Sequence, residues 1–509
     1  MIAGSLGVDT PTRFECDVLV IGSGAGGSAV ADVLTRAGRD VLMLEEGPMA
    51  GADRAAASAA DGMRRFWRHG GLSVALGAVP VAYAEGRCVG GGTEINSGIL
   101  QRTPAELLDA WGKTYAIEGF DADSLQPYYA RALHAVHASL TSGDVGLHSD
   151  LLRLGAERMG WRVAALERAQ RYCVGTNMCS SGCPTGAKQS MSETLLPQAL
   201  ERGLRLVSDC RVTRLLRKGG RVTGVLAEAR DHRGRRWPVQ VTARDVFVCA
   251  GAVHSPALLR RSGLTRNIGT TLRMHPTVKL LARFPHRVAA HESRLPLYAV
   301  TEFMPDVRLG GSIFVPGSFG LVIAEDWSHR AALLREMDHC AVYYAMVRGR
   351  GVGTVRTLPG IADPLVRYEL TPDDWRNLAH GSVKLAELMF AAGAAEVFHP
   401  GGGHAGWRSV DEVAVQFATK ARQRDAGVLS IHLFGSCRPG EDPAFSATDS
   451  YGRVRGVENL VIADASQIPE APGVNPQATV MALAYRAAEA FLARSARVVQ
   501  REAMKERVA

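Results

Sequence analysis

The chain has 509 residues, 46% hydrophobic and 6% aromatic, enough apolar material for a large core and incompatible with a disordered or low-complexity chain. Its length exceeds what one simple core holds, so two closely joined domains are expected. The formal charge of +8 comes from 59 basic and 51 acidic residues, and the basic ones are scattered; this argues against a nucleic-acid or membrane-surface protein and for an ordinary soluble surface.

Residues 1–11 show no basic n-region and no long apolar h-region, so no signal peptide is expected there. No stretch reaches the ~20 apolar residues of a membrane helix. Nine cysteines, an odd number without disulfide-like spacing, point to a reducing compartment, and a cytoplasmic location is expected.

Cys16-Asp17-Val18-Leu19-Val20-Ile21 is a β-branched, aliphatic run and predicts a buried parallel strand. Gly22-Ser23-Gly24-Ala25-Gly26-Gly27 follows, then an amphipathic helix to about Arg36 and a second strand over Asp40–Leu44 that ends at Glu45. Gly22 suits the tight turn, Gly24 lets backbone approach a pyrophosphate, and Gly27 lets helix and strand pack closely. The helix N-terminus then faces the phosphates. Glu45, 23 residues after Gly22, is placed to accept hydrogen bonds from ribose hydroxyls. This unit alone fits NAD or FAD. No second strand–GxGxxG–helix unit follows, which favours one dinucleotide that stays bound, hence FAD.

Gly86-Arg87-Cys88-Val89-Gly90-Gly91-Gly92-Thr93-Glu94-Ile95-Asn96 leaves bare backbone that a flat ring or pyrophosphate can approach. Here the chain resembles the glucose–methanol–choline (GMC) oxidoreductases. Gly251 to Leu264 resembles that family's second signature, departing at Thr265, where Gly is common, and at Arg260 and Arg261, where apolar residues are usual. The best match is C-terminal: His432-Leu433-Phe434-Gly435-Ser436-Cys437-Arg438, Asn459 to Ser466, and Gly473-Val474-Asn475-Pro476-Gln477-Ala478-Thr479.

The resemblance implies an α/β (overall α+β) chain: a Rossmann-like FAD-binding domain and a substrate domain built on an antiparallel sheet. The first is expected from 14–120, 195–270 and 430–496, the second from 121–194 and 271–429. Charged residues after about Arg494 predict a frayed tail. Besides Gly22, Gly24, Ala25, Gly27 and Glu45, the resemblance implies FAD contacts from Arg87, Gly90, Gly91, Thr93 and Asn96, and from Val212, Ala250, Gly251, Asp464, Ala465, Asn475 and Gln477. The segment near residue 90 offers no His, so the FAD is expected to be non-covalent.

Oxidising an alcohol with a flavin needs a base for the hydroxyl proton and a carbon whose hydride points at flavin N5. The resemblance puts His432 at the family's base position and Asn475 at its second pocket position. Asn475 also precedes Pro476, a pattern that suits a helix start. The helix from Pro476 to about Leu492 is expected to aim its positive end at the flavin pyrimidine. His275, His399 and His404 are expected to be structural or pocket-lining. Cys173, Cys179 and Cys183 lack CxxC spacing and a fourth ligand, so a compact loop rather than a metal centre is expected.

These readings imply a dehydrogenase or oxidase for a small-molecule alcohol, whether fatty alcohol, sterol or sugar-like, including an aminoglycoside in a biosynthetic pathway. The electron acceptor is O2 or a redox partner. Two alternatives stay open: a lyase or light-driven decarboxylase on the same fold, and a non-catalytic flavoprotein.

Overall fold

A computed structural model describes residues 6–49, 58–141, 143, 145–294, 297–324, 326–399, 406–418 and 426–508. The apolar run at the start becomes the strand Thr12–Ile21, with Val18, Leu19 and Val20 fully buried. It pairs in parallel with Val41–Leu44 on one side and Arg236–Val248 on the other. Arg205–Val207 adds in parallel beyond Val41–Leu44, and Leu460–Ile462 adds in parallel to Arg236–Val248. The strands Cys210–Lys218 and Arg221–Arg230 complete this seven-stranded sheet as an antiparallel extension.

This topology positions the site. Four parallel strands end on one edge of the sheet. Gly22 follows the first, Glu45 the second, Ala250 and Gly251 follow Arg236–Val248, and Asp464 closely follows Leu460–Ile462. Ligands of open α/β sheets bind at such carboxyl ends. Segments more than 400 residues apart in sequence thus meet at one crevice.

The second sheet has nine strands. Its centre is Thr277–Arg283 paired antiparallel with Cys340–Val347, which pairs in turn with Val307–Gly311. Val278, Leu280 and Ala282 share one fully buried face and belong to the same core as Leu378 and Leu385 of the helix Pro372–Ala391. That helix starts with a reciprocal cap between Thr371 and Asp374. Thr277 and Lys279 occupy the opposite face. The strands Ser73–Ala75 and Val81–Tyr83 fall in a stretch expected with the FAD domain, yet they join this second sheet through Leu429–Ser430. A short strand that follows one core in sequence can pair with another in space.

The last helix differs from expectation. It runs over Gln477–Val508 instead of ending near residue 492. Its later turns are rich in Ala, Arg, Glu and Lys, all strong helix formers, which outweighs the high charge. No helix among the described residues is long and apolar enough to cross a membrane.

Candidate active site

One cavity of about 1000 Å³ opens between the strand ends and the second sheet. Its lining includes Gly22, Gly24, Ala25 and Glu45 from the first unit, and Gly91, Thr93 and Asn96 from the second glycine-rich segment. Val212, Ala250 and Gly251 add a third side, and Asp464 and Ala465 a fourth. His432, Asn475 and Gln477 face the same space. Gly27, Arg87 and Gly90 do not line it.

The glycines have separate jobs. Gly22 sits at φ +99°, and a Cβ there would lie 2.5 Å from the Cys249 carbonyl oxygen. A Cβ on Gly27 would lie 1.9 Å from the Gly22 carbonyl oxygen, so Gly27 acts beneath the cavity by letting helix and turn touch. At Gly24 the nearest atom to an added Cβ is the Gly91 Cα at 3.9 Å, so the space beyond it is open. Gly26, which the sequence reading left without a role, packs the helix against the C-terminal segment: its Cβ would lie 1.9 Å from the Ala463 carbonyl oxygen.

Glu45 is buried and held from both sides. Ser23 donates to it through N at 2.9 Å and Oγ at 2.7 Å, and the Gly47 amide donates at 2.9 Å. Burial raises its pKa despite these donors. Gly90 acts one step back, donating to Ser23 Oγ at 3.0 Å. Arg87 faces Glu46 at 3.5 Å, beside the Arg68–Glu46 pair at 2.8 Å, so it braces the wall and does not enter the cavity. Asp464 accepts from the Gly251 amide at 2.9 Å and from Ser466 N and Oγ at 2.8 and 2.6 Å, tying two strand ends together. Asn96 donates to Gln477 at 2.6 Å and accepts from Gly98 N at 2.9 Å. Bare backbone at Gly24, Gly91 and Gly92 beside the buried, cavity-lining acid Glu45 fits FAD: open room for phosphates, an acceptor for hydroxyls and a helix N-terminus suited to negative charge.

Another part of the cavity is organised around four side chains. His432 Nε2 lies 3.4 Å from the Asn475 amide nitrogen. Arg308 donates to Asn475 Oδ1 at 3.0 Å, turning the NH2 of that amide toward His432. Arg308 also donates to Gln101, is 1% exposed, and has Nε and Nη2 without a partner among the described residues. Burial lowers the His432 pKa to about 3, and the Arg308 charge adds to the shift.

His275 is fully buried behind His432 and does not line the cavity. Its Nδ1 lies 3.0 Å from His432 Nδ1, and its Nε2 accepts from the Gly473 amide at 2.9 Å. An accepting Nε2 leaves the neutral ring's proton on Nδ1, which then donates to His432. His432 therefore carries its own proton on Nε2. Together with the Asn475 NH2, this gives two donors converging on the cavity, suited to an oxygen that gains negative charge. Burial, with the Arg308 charge adding to it, holds His275 neutral.

His399 packs against Trp407 and Phe417, and His404 lies outside the described residues. In the cysteine loop, Arg168 donates to Cys179 Sγ at 3.3 Å and Lys188 N donates to Cys183 Sγ at 3.5 Å. Among the described residues no group of three or more His, Cys, Asp or Glu side chains is arranged to hold a metal ion. Ser23 and Arg308 carried no sequence signal, and His275 was expected only to be structural or pocket-lining.

Family models described as GMC oxidoreductase match residues 18–277 and 352–484. A GMC-type oxidoreductase of Sinorhizobium fredii is 53% identical over 504 residues, covering 99% of this chain and 100% of that protein. A long-chain-alcohol oxidase of Arabidopsis thaliana is 29% identical, covering 95% of this chain and 69% of that protein. An FAD-dependent oxidoreductase structure from Chaetomium thermophilum superimposes with a TM-score of 0.69 at 17% identity, covering 94% of this chain and 99% of that chain. The chain belongs to the GMC oxidoreductase family.

Proposed function

We propose that the protein oxidises a small-molecule alcohol to an aldehyde or ketone, using non-covalently bound FAD. The observation that carries this reading is the convergence of His432 Nε2 and the Asn475 amide, 3.4 Å apart, in the cavity lined by the dinucleotide-binding residues. FAD, when bound, supplies the hydride acceptor. His432 and Asn475 hold the substrate oxygen. For His432 to take the hydroxyl proton at Nε2, that nitrogen has to be bare: His432 then holds its one proton on Nδ1 and His275 holds its own on Nε2, against the Gly473 amide, so His275 sets how much of the basic tautomer is present. Arg308 favours the alkoxide electrostatically through Asn475. Apart from the strands Ser73–Ala75 and Val81–Tyr83, which join the second sheet, the domain boundaries expected from the sequence belong to the same proposal, as do O2 or a redox partner as acceptor and a cytoplasmic setting. The Arabidopsis relative, a long-chain-alcohol oxidase, supports an alcohol substrate, as do the apolar cavity walls contributed by Val342, Met346 and Leu433.

The test is anaerobic mixing of the yellow holoprotein with fatty, sterol and sugar-type alcohols. Bleaching of the flavin band with formation of the matching carbonyl compound is expected. A bound flavin that none of these alcohols reduces overturns the reading.

A further inference from the structure

Four acids line the cavity: Glu45, Glu46, Glu85 and Asp464. All are engaged. Ser23 and Gly47 hold Glu45, Arg68 holds Glu46, His254 lies 3.6 Å from Glu85, and Ser466 and Gly251 hold Asp464. The second sheet contributes Thr277, Lys279, Val342, Tyr344 and Met346. Of these only Lys279 is charged. Its strand pairs it with Tyr344, and among the described residues its side chain forms no hydrogen bond or ion pair. Burial pulls its ammonium below the ordinary lysine range. Lys279 is partly exposed to the cavity, and an unpaired cation beside apolar residues is held more favourably once an anion pairs with it.

We propose that Lys279 determines substrate specificity by pairing with a carboxylate carried by the alcohol, so that the substrate class is a hydroxy acid with an apolar spacer between its two functional groups. This rests on the hydroxyl-oxidation reading and deepens it. A single cation suits a monoanionic carboxylate, whereas a phosphate needs more donors than this wall offers. Position sets the spacer. Lys279 lies in the strand that begins at Thr277, four residues beyond His275, which touches His432, so the two backbone positions are at most about 14 Å apart. Val342, Met346 and Leu433 give the cavity wall apolar character.

The experiment compares 1-decanol with 10-hydroxydecanoate in anaerobic flavin reduction, and follows binding of decanoate, which has no hydroxyl, by calorimetry. The holoprotein should prefer the hydroxy acid by on the order of tenfold or more. K279M should collapse that ratio and abolish decanoate binding, and K279R should retain both. An unchanged ratio in K279M overturns the proposal, as does a folded K279M that has lost its flavin, since the lysine would then serve the cofactor. Decanoate binding that depends on Lys279, without bleaching by any alcohol, would sink the oxidation reading and leave the carboxylate pocket standing.

Discussion

The Nδ1 atoms of His275 and His432 lie 3.0 Å apart, and the Gly473 amide, 2.9 Å from His275 Nε2, decides which ring owns the proton between them. A donor sits at each end of this chain of two imidazoles, Gly473 N–H at one and the Asn475 NH2 at the other. Two neutral rings bring one proton more than the three contacts can use. The surplus proton, on His432 Nε2, is therefore directed into the cavity.

His275→Phe removes that control at similar ring volume. We expect kcat to fall at least tenfold, KM and flavin content to change little, and His275→Gln, whose amide can donate to His432 Nδ1, to recover part of the loss. Steady-state kinetics on the flavin-loaded variants checks this. Equal kcat in wild type and His275→Phe would rule out the relay.

Removing the donors themselves has a larger expected effect. Asn475→Ala should cost roughly 10²–10³ in kcat and His432→Ala about 10²–10⁴, with FAD still bound. Rapid-mixing rates of flavin reduction report both. A loss confined to KM would mean that the two side chains serve binding alone.

Arg308 sets the pH behaviour. Burial and then the Arg308 charge hold the His432 pKa down at about 3, so protonation of His432 should not limit kcat/KM until well below pH 5. Arg308→Met removes the cation, and the acid limb should move upward toward the ordinary histidine range. A pH profile of kcat/KM unchanged by Arg308→Met would contradict this.

Stability should follow the same groups. Burial lowers the His148 pKa to about 4, and His275 and His432 shift in the same direction. Between about pH 6.5 and pH 4 the unfolded chain binds protons that the folded chain refuses, so folded stability is full above this window and falls as pH drops through it. The melting temperature of the holoprotein should hold from pH 7.5 to about pH 6.5 and decline from there to pH 5. A flat profile would show that these rings are not buried as neutral groups.

The glycines separate folding from cofactor binding. Gly24→Ala meets nothing closer than 3.9 Å, so the protein should fold normally while FAD binds more weakly. Gly27→Ala places a methyl 1.9 Å from a backbone oxygen and should destabilise the fold itself. Melting curves and flavin content measured on both variants distinguish the two effects.

Local order explains what the sequence reveals and what it conceals. The first glycine-rich unit is readable because strand, turn, helix and acid follow one another within about 30 residues, each with its own steric demand. His432 and Asn475 were legible through the motifs around them. Arg308 was not: it comes from a strand 167 residues away from Asn475 and reaches it only because the second sheet packs over the crevice. Lys279 and Ser73–Ala75 were hidden for the same reason, since pairing partners in an antiparallel sheet leave no mark in nearby sequence. The helical continuation to Val508 was missed because charge was weighted above helix propensity.

The most direct measurement is anaerobic rapid mixing of wild type and His432→Ala, both carrying FAD, with a substrate alcohol. Fast bleaching in wild type, a rate lower by about two orders of magnitude or more in His432→Ala, and recovery of the carbonyl product is the predicted result. Equal rates in the two proteins, with flavin content matched, would contradict the assignment of hydroxyl oxidation to this site.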